Sequence, residues 1–154
     1  MKRKACMVSA VFVVTLFFVS CVTSLQTYKP SSLDEANIKE FFISMEKAWN
    51  NRDITGVLVA YHDNASIMSG KEKRMFSKKE YANRLEGKVV GVTGLKESGD
   101  IKYGAPKIRI YKNQTVEVNM NIKLYEFRNV TLKAKFILIL FNNSWLIKER
   151  TYTY

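Results

Sequence analysis

From residue 33 to 51 the apolar residues Ile38, Phe41, Phe42, Met45, Ala48 and Trp49 return every three or four positions. That spacing gathers them on one face of a long helix, which must lie on an apolar partner. Ser32 and Glu35 stand at capping-box spacing at its start, each side chain placed to satisfy a free backbone amide. Asp53 then caps a second helix with a stripe of Ile54, Val57, Leu58 and Tyr61, and residues 65–68 form a short extended piece. The charged stretch 70–74 reads as a loop. After it, Ser77 and Glu80 form a second capping box while Phe76 and Tyr81 form a hydrophobic staple, marking a third helix that ends near Lys88, ahead of Gly91 and Gly94.

Beyond residue 100 the period changes to two. Val116, Val118, Met120, Ile122 and Leu124 alternate with Thr115, Glu117, Asn119, Asn121 and Lys123, so one face of that strand is buried and the other is wet. Residues 112–114, 127–129 and 142–144 carry hairpin-turn residues. They divide the second half into strands over 100–111, 115–127, 130–141 and 145–152, arranged as an antiparallel meander. Pro106 interrupts the first strand and suits a bulge or an edge. Three helices followed by such a meander predict an α+β fold.

The N-terminus carries a different pattern. Lys2, Arg3 and Lys4 precede an uncharged apolar run over 5–19, and Phe18, Val19 and Ser20 lead into Cys21. This is the order of a bacterial lipoprotein signal, with a small residue at the cleavage position. The other reading is an uncleaved anchor. The run is short for the ~20 residues a span needs, and its ending in a small residue plus cysteine favours lipidation at Cys21. Each buried acyl methylene then adds about 0.8 kcal/mol of membrane affinity. By resemblance to Gram-negative lipoproteins, Val22 in place of aspartate implies outer-membrane sorting, facing the periplasm. The chain thus divides into a signal peptide (1–20), a lipidated cysteine and polar tether (21–32) and one domain (33–154), because the remaining length suits one ordinary domain rather than two.

Charge and cysteine usage narrow the chemistry. The chain has 25 basic and 14 acidic residues; losing Lys2, Arg3 and Lys4 with the leader leaves 22 against 14, a balance of +8. Attraction to anionic headgroups accounts for this in a membrane-held protein. The basic residues are spread along the sequence and the chain is exported, so no nucleic-acid partner is expected. Cys6 lies in the leader and Cys21 is consumed by lipid, which leaves no disulfide. A single histidine, His62, excludes a multi-histidine zinc site, and no carboxylate cluster suggests magnesium or calcium. Neither a metal nor another cofactor is expected. The Asn-x-Ser/Thr sequons at Asn64, Asn113, Asn129 and Asn142 carry no weight behind a bacterial signal.

The order of elements, with Ala48-Trp49-Asn50-Asn51-Arg52-Asp53-Ile54 and Val59-Ala60-Tyr61-His62-Asp63-Asn64-Ala65 as local signatures and Trp145-Leu146-Ile147 as a closing strand, resembles the nuclear transport factor 2-like superfamily. That superfamily includes ketosteroid isomerase and the SnoaL-like cyclases. The resemblance implies a cone of three helices packed on a curved antiparallel sheet. It does not choose a function, because this fold hosts enzymes and non-catalytic modules alike.

Ungapped alignment to the isomerase pattern puts Ser69 at the base position, Met45 at the tyrosine position and Ile137 at the protonated-aspartate position. None of these is an acid or base at neutral pH, so the reading leans away from an enzyme. A SnoaL-like cyclase, dehydratase or isomerase with a rearranged site remains the alternative, resting on His62 and Asp63. In the last two strands Lys133, Lys135, Ile137, Ile139 and Phe141 share one face, as do Leu146, Lys148, Arg150 and Tyr152. The resemblance makes these the concave faces. Lys135, Arg150 and Tyr152 are then expected near the cone's mouth with Trp49 and Tyr61, as a basic, aromatic rim for a small anionic or amphipathic ligand. The competing reading pairs Lys135 and Arg150 with Glu117, Glu126 or Glu149 on a wet face. A protein-interaction role, including a homodimer formed through the sheet, stands beside the ligand-binding one, with Tyr103, Tyr111, Tyr125, Phe127, Tyr152 and Tyr154 as aromatic surface.

Overall fold

A computed structural model describes residues 24–68, 74–125 and 129–153. The leader, Cys21, Ser69, most of the 70–74 loop, Glu126, the turn at Phe127 and Tyr154 lie outside the described residues. The elements run α1 (Leu33–Asn50), α2 (Ile54–Val59), β1 (Tyr61–Met68), β2 (Met75–Ser77), α3 (Lys78–Leu85), β3 (Asp100–Tyr103), β4 (Lys107–Ile110), β5 (Thr115–Tyr125), β6 (Asn129–Phe141) and β7 (Ser144–Thr153), with a short 3-10 turn at Leu95–Glu97 before β3.

The helices begin where the caps direct. The Ser32 side chain accepts from the Glu35 amide, but the Glu35 carboxylate turns to the Ser31 amide and the Tyr28 hydroxyl, so only half of that box forms. At α3 the box is complete: Ser77 accepts from the Glu80 amide and the Glu80 carboxylate accepts from the Ser77 amide. The buried face of α1 is Ile38, Phe42 and Met45. Asp53 caps α2, and α2 crosses α1 so closely that a Cβ on Gly56 would stand 3.0 Å from the Ala48 Cβ. Tyr61 is not on the α2 stripe, because α2 stops at Val59 and Tyr61 opens β1.

The sheet has the order β2-β1-β7-β6-β5-β3, with β4 also paired to β5. The strand expected over 100–111 is two strands, β3 and β4, with Pro106 in the break, and both pair antiparallel with β5. The β5-β6-β7 meander is antiparallel as its turns require, and Asn142 and Asn143 both take positive φ, the combination a tight type I′ hairpin demands. The sheet as a whole is mixed, since β1 lies parallel to β7.

Helices and sheet meet over one core. Phe42 of α1 packs edge-on against Tyr103 of β3 and Phe136 of β6, at ring separations of 5.5 and 4.9 Å. Val116, Val118, Met120 and Ile122 of β5 and Leu132, Ala134, Phe136 and Leu138 of β6 complete the buried side. Each such large apolar side chain contributes roughly 1.5–3 kcal/mol on burial.

The segment ahead of α1 is not a loose tether. Leu25 is fully buried, its amide donates to the Tyr103 carbonyl at 3.2 Å, and Ser24 bridges Gly104 at the end of β3. Lys39 fastens it further by donating to the carbonyls of Gln26 and Tyr28.

Candidate functional site

The polar centre of the cone is Arg150 of β7, which is 3% exposed. Its Nη1 donates to the hydroxyls of Tyr61 and, at 3.1 Å, Tyr81, while Nε and Nη2 reach the Met68 carbonyl at 3.3 and 3.2 Å. Aromatic faces surround the guanidinium, with its carbon 4.6, 5.3 and 5.4 Å from the ring centres of Tyr81, Tyr152 and Tyr61. Among the described residues no carboxylate pairs with it. A buried cation is tolerated here because its donors are satisfied and electron-rich ring faces replace part of its hydration.

These groups also set one another's protonation. Burial opposes the Arg150 charge, yet the phenols of Tyr152, Tyr61 and Tyr81 hold its pKa well above the ordinary guanidinium value. Burial drives the Tyr61 phenol well above its usual range against the opposing pull of Arg150. Tyr103 is raised by burial too, with Tyr152 adding to it. At neutral pH the cluster is therefore a fixed cation beside a Tyr61 phenol that burial keeps protonated. It donates hydrogen bonds and positive potential but offers no proton acceptor of general-base strength.

The expected rim is divided by the structure. Arg150, Tyr61 and Tyr152 do come together, but inside the cone rather than at its mouth: Tyr61 is 1% exposed and its oxygen is the partner of Arg150. Lys135 is not among them. The inward row of β6 is Leu132, Ala134, Phe136 and Leu138, so Lys133, Lys135, Ile137, Ile139 and Phe141 belong to the outer face. A strand's side chains alternate strictly, so choosing the wrong row displaces all of them at once. The uncharged run of the 132–138 row was the available signal.

In β7 the expected row of Leu146, Lys148, Arg150 and Tyr152 is broken by a bulge. Ile137 pairs with Glu149 while Leu138 pairs with Ile147, which leaves Lys148 as the extra residue. Ile147 and Arg150 consequently both point inward although three positions apart. Only sheet closure fixes this change of phase; the sequence hint is that Trp145 and Ile147 alternate out of step with Arg150 and Tyr152.

Trp49 has a different task from the one expected. Its indole donates to the Gly99 carbonyl at 3.1 Å, beside Asn50 bonded to Ile101 and Glu46 accepting from the Tyr103 amide. These α1 side chains cover β3, the last strand of the sheet. Of the catalytic positions weighed from sequence, Met45 is buried in the core and Ile137 lies on the outer face. His62 and Asp63 lie at the start of β1, where the His62 Nδ1 accepts from the Asn64 amide and Asp63 pairs with Lys78 at 3.0 Å. Lys78 holds the Asp63 carboxyl below its usual range.

Outside the cone, a groove of about 500 Å³ runs between α1, α2 and the β6-β7 hairpin. Its walls are mainly apolar, from Phe41, Ala48, Val59, Trp145 and Leu146, with Lys47 and Asp53 among the lining residues.

With this geometry the chain has the nuclear transport factor 2-like fold: a few helices packed on a curved mixed sheet. It is similar to a nuclear transport factor 2-like protein of unknown function from Shewanella oneidensis, at 18% identity and a TM-score of 0.65, over 78% of this chain and 98% of that one. A nuclear transport factor 2-like protein from Cytophaga hutchinsonii gives 18% identity and 0.63, over 79% and 98%. A Novosphingobium aromaticivorans protein provisionally named a scytalone dehydratase gives 9% identity and 0.63, over 79% and 85%. No protein-family model matches the chain, and no curated protein matches it. At these identities the similarity carries the fold, and function has to be argued from the side chains.

Proposed function

We propose that this chain is a non-catalytic binding module of the cell envelope, exported by its leader and held by lipid on Cys21 at the periplasmic side of the outer membrane. The observation that carries the reading is the filled cone. Phe42, Tyr103 and Phe136 pack against one another between the helices and the sheet, and Arg150 spends its donors on Tyr61, Tyr81 and Met68. The side chains that meet around Arg150 among the described residues are phenols, of which burial raises Tyr61 and Tyr103 well above the usual range, and this gives little support to the cyclase, dehydratase or isomerase alternative.

Binding then belongs to the outer surface, and the apolar groove between α1, α2 and the β6-β7 hairpin is the concavity that suits an amphipathic molecule or a partner's apolar side chains. Native mass spectrometry of the fragment beginning at Val22, purified gently, tests this. A bound small molecule or protein should be retained by the native fragment and lost when Val59 and Leu146 are both changed to Asp. Binding that survives those changes, or turnover of an added substrate that is lost on Asp63→Asn, overturns the reading. Intact-mass measurement on membrane-extracted chain should show the diacylglyceryl and acyl additions at Cys21, absent from Cys21→Ser.

A further inference from the structure

The outer face of the sheet carries five lysines on a connected patch. Lys102 of β3 stands opposite Lys123 of β5; Lys133 of β6 stands opposite Asn121; Lys107 of β4 and Lys135 of β6 flank Asn119. Lys135 is half-buried and the other four are exposed, and none makes an ion pair among the described residues. Of the acids on this face, Glu117 accepts from the Asn119 amide and Asp100 pairs with Arg52, while Glu149 stands opposite Ile137, one place along the row from Lys135. Tyr125, 41% exposed, lies under the Lys123 ammonium at 5.0 Å.

The point where the chain leaves the domain lies in the same patch. Ser24 bridges Gly104, whose amide donates to the Asn121 carbonyl at 2.8 Å. Asn121 joins two shallow concavities, one lined by Ser24, Lys102, Lys123 and Tyr125 and the other by Lys107, Lys133 and Lys135. Cys21 is three residues before Ser24, so its backbone lies within roughly 11 Å of Ser24, at the border of the patch, even with the chain fully extended.

We propose that this lysine face of the sheet lies flat on anionic lipid headgroups, so that the domain is docked on its membrane in one orientation rather than swinging from a tether. The proposal rests on the lipidation of Cys21 proposed above. A short lead from Cys21 brings the face to the bilayer, ammonium groups without an ion pair among the described residues match anionic phosphates, and Tyr125 supplies an aromatic ring of the kind enriched at the headgroup level. A second copy of this chain is a poorer occupant, since a two-fold contact centred on the patch sets lysines against lysines. Docking also leaves the α1-α2 groove, on the helical side of the sheet, turned away from the bilayer.

The test uses the full, processed chain in vesicles of phosphatidylcholine, with or without phosphatidylglycerol. A fluorophore is attached at Lys133→Cys or, as the control beyond the opposite sheet edge, at the fully exposed Val90→Cys. Headgroup-attached quenchers should quench the Lys133 site more than the Val90 site in phosphatidylglycerol vesicles, because docking holds the first against the headgroups and the second away from them. The difference should vanish at high salt and in the Lys102→Glu, Lys107→Glu, Lys123→Glu triple variant. Equal quenching at both sites, or crosslinking of two copies through the Lys133 site in either vesicle, overturns the docking. Flotation separates the two readings: a chain that floats with both vesicle types is lipid-anchored. One that floats only with phosphatidylglycerol docks through the lysines without an anchor, and one that floats with neither overturns both.

Discussion

Asn50 pairs with Ile101 through both atoms of its amide: Nδ2 donates to the Ile101 carbonyl at 3.0 Å, and Oδ1 accepts from the Ile101 amide at 2.8 Å. Since β3 ends the sheet, this side chain does what a further strand would otherwise do, and Trp49 and Glu46 extend the cover in both directions. Exposed edges of this kind recruit other strands, and a helix laid along them prevents it. Asn50→Ala leaves two backbone groups without partners and should cost about 1–3 kcal/mol, read as a lower urea midpoint at unchanged m-value. The variant should also scatter more light as its concentration rises. A midpoint within about 0.3 kcal/mol of the native chain would show the edge is capped by something other than Asn50.

The Arg150 cluster depends on the shape of its donor group. Lysine keeps the charge but replaces a planar fork with a single nitrogen, which cannot serve Tyr61, Tyr81 and the Met68 carbonyl together. Arg150→Lys should therefore cost more than about 2 kcal/mol, and Tyr61→Phe about 1.5–3 kcal/mol, the range for a hydrogen bond to a charged group. Guanidinium chloride unfolding of both variants and of the double variant checks this, with less-than-additive losses expected because the two side chains touch.

Acid should loosen the helix starts before it reaches the core. Glu35 is lowered by the Ser31 amide bond and the Tyr28 hydroxyl, and Glu80 by the Ser77 amide and hydroxyl. A carboxyl whose folded pKa lies below its unfolded value contributes stability above the unfolded value and loses it as pH falls through the folded one. The thermal midpoint should stay level down to the ordinary glutamate value of 4.5 and fall below it, less steeply in Glu80→Gln. A midpoint that declines steadily from neutral pH would assign the acid sensitivity to other groups.

Alkali should act through the phenols. Tyr28 is pushed up to about 12, first by burial and then by its bond to Glu35, while Tyr61 and Tyr103 rise well above 10.0 through burial. Raised phenols contribute stability below the ordinary value of 10.0 that disappears as pH climbs toward the folded values. In a near-ultraviolet titration these three of the chain's eight tyrosines should lag behind free tyrosine, with Tyr61 and Tyr103 ionising only as the chain unfolds. Tyr28→Phe should remove the step near 12 and nothing earlier.

Much of the architecture was legible in the chain because it is written in local terms. The period of 3.6 in 33–51, the Ser77-Glu80 box and the alternation in 115–124 each need only neighbouring residues, and α1, α3 and β5 stand where those signals put them. The paired asparagines at 142 and 143 likewise set the β6-β7 hairpin, because that turn needs two residues with positive φ.

The site was only partly legible. Arg150, Tyr61 and Tyr152 could be named as partners, yet their depth, the exclusion of Lys135 and the role of Trp49 could not. Which row of β6 faces inward depends on which side the helices cover, and both rows carry apolar residues. The bulge at Lys148 lies in a strand that pairs with β6 on one side and parallel β1 on the other, an arrangement that no window of sequence contains. Sequence alone determined α1, α3, β5 and the β6-β7 turn, since backbone sterics and side-chain period act over a few residues. Tertiary structure alone decided what lies inside the cone, what caps its edge and where residue 24 leaves the sheet, since those depend on contacts between segments up to 89 residues apart.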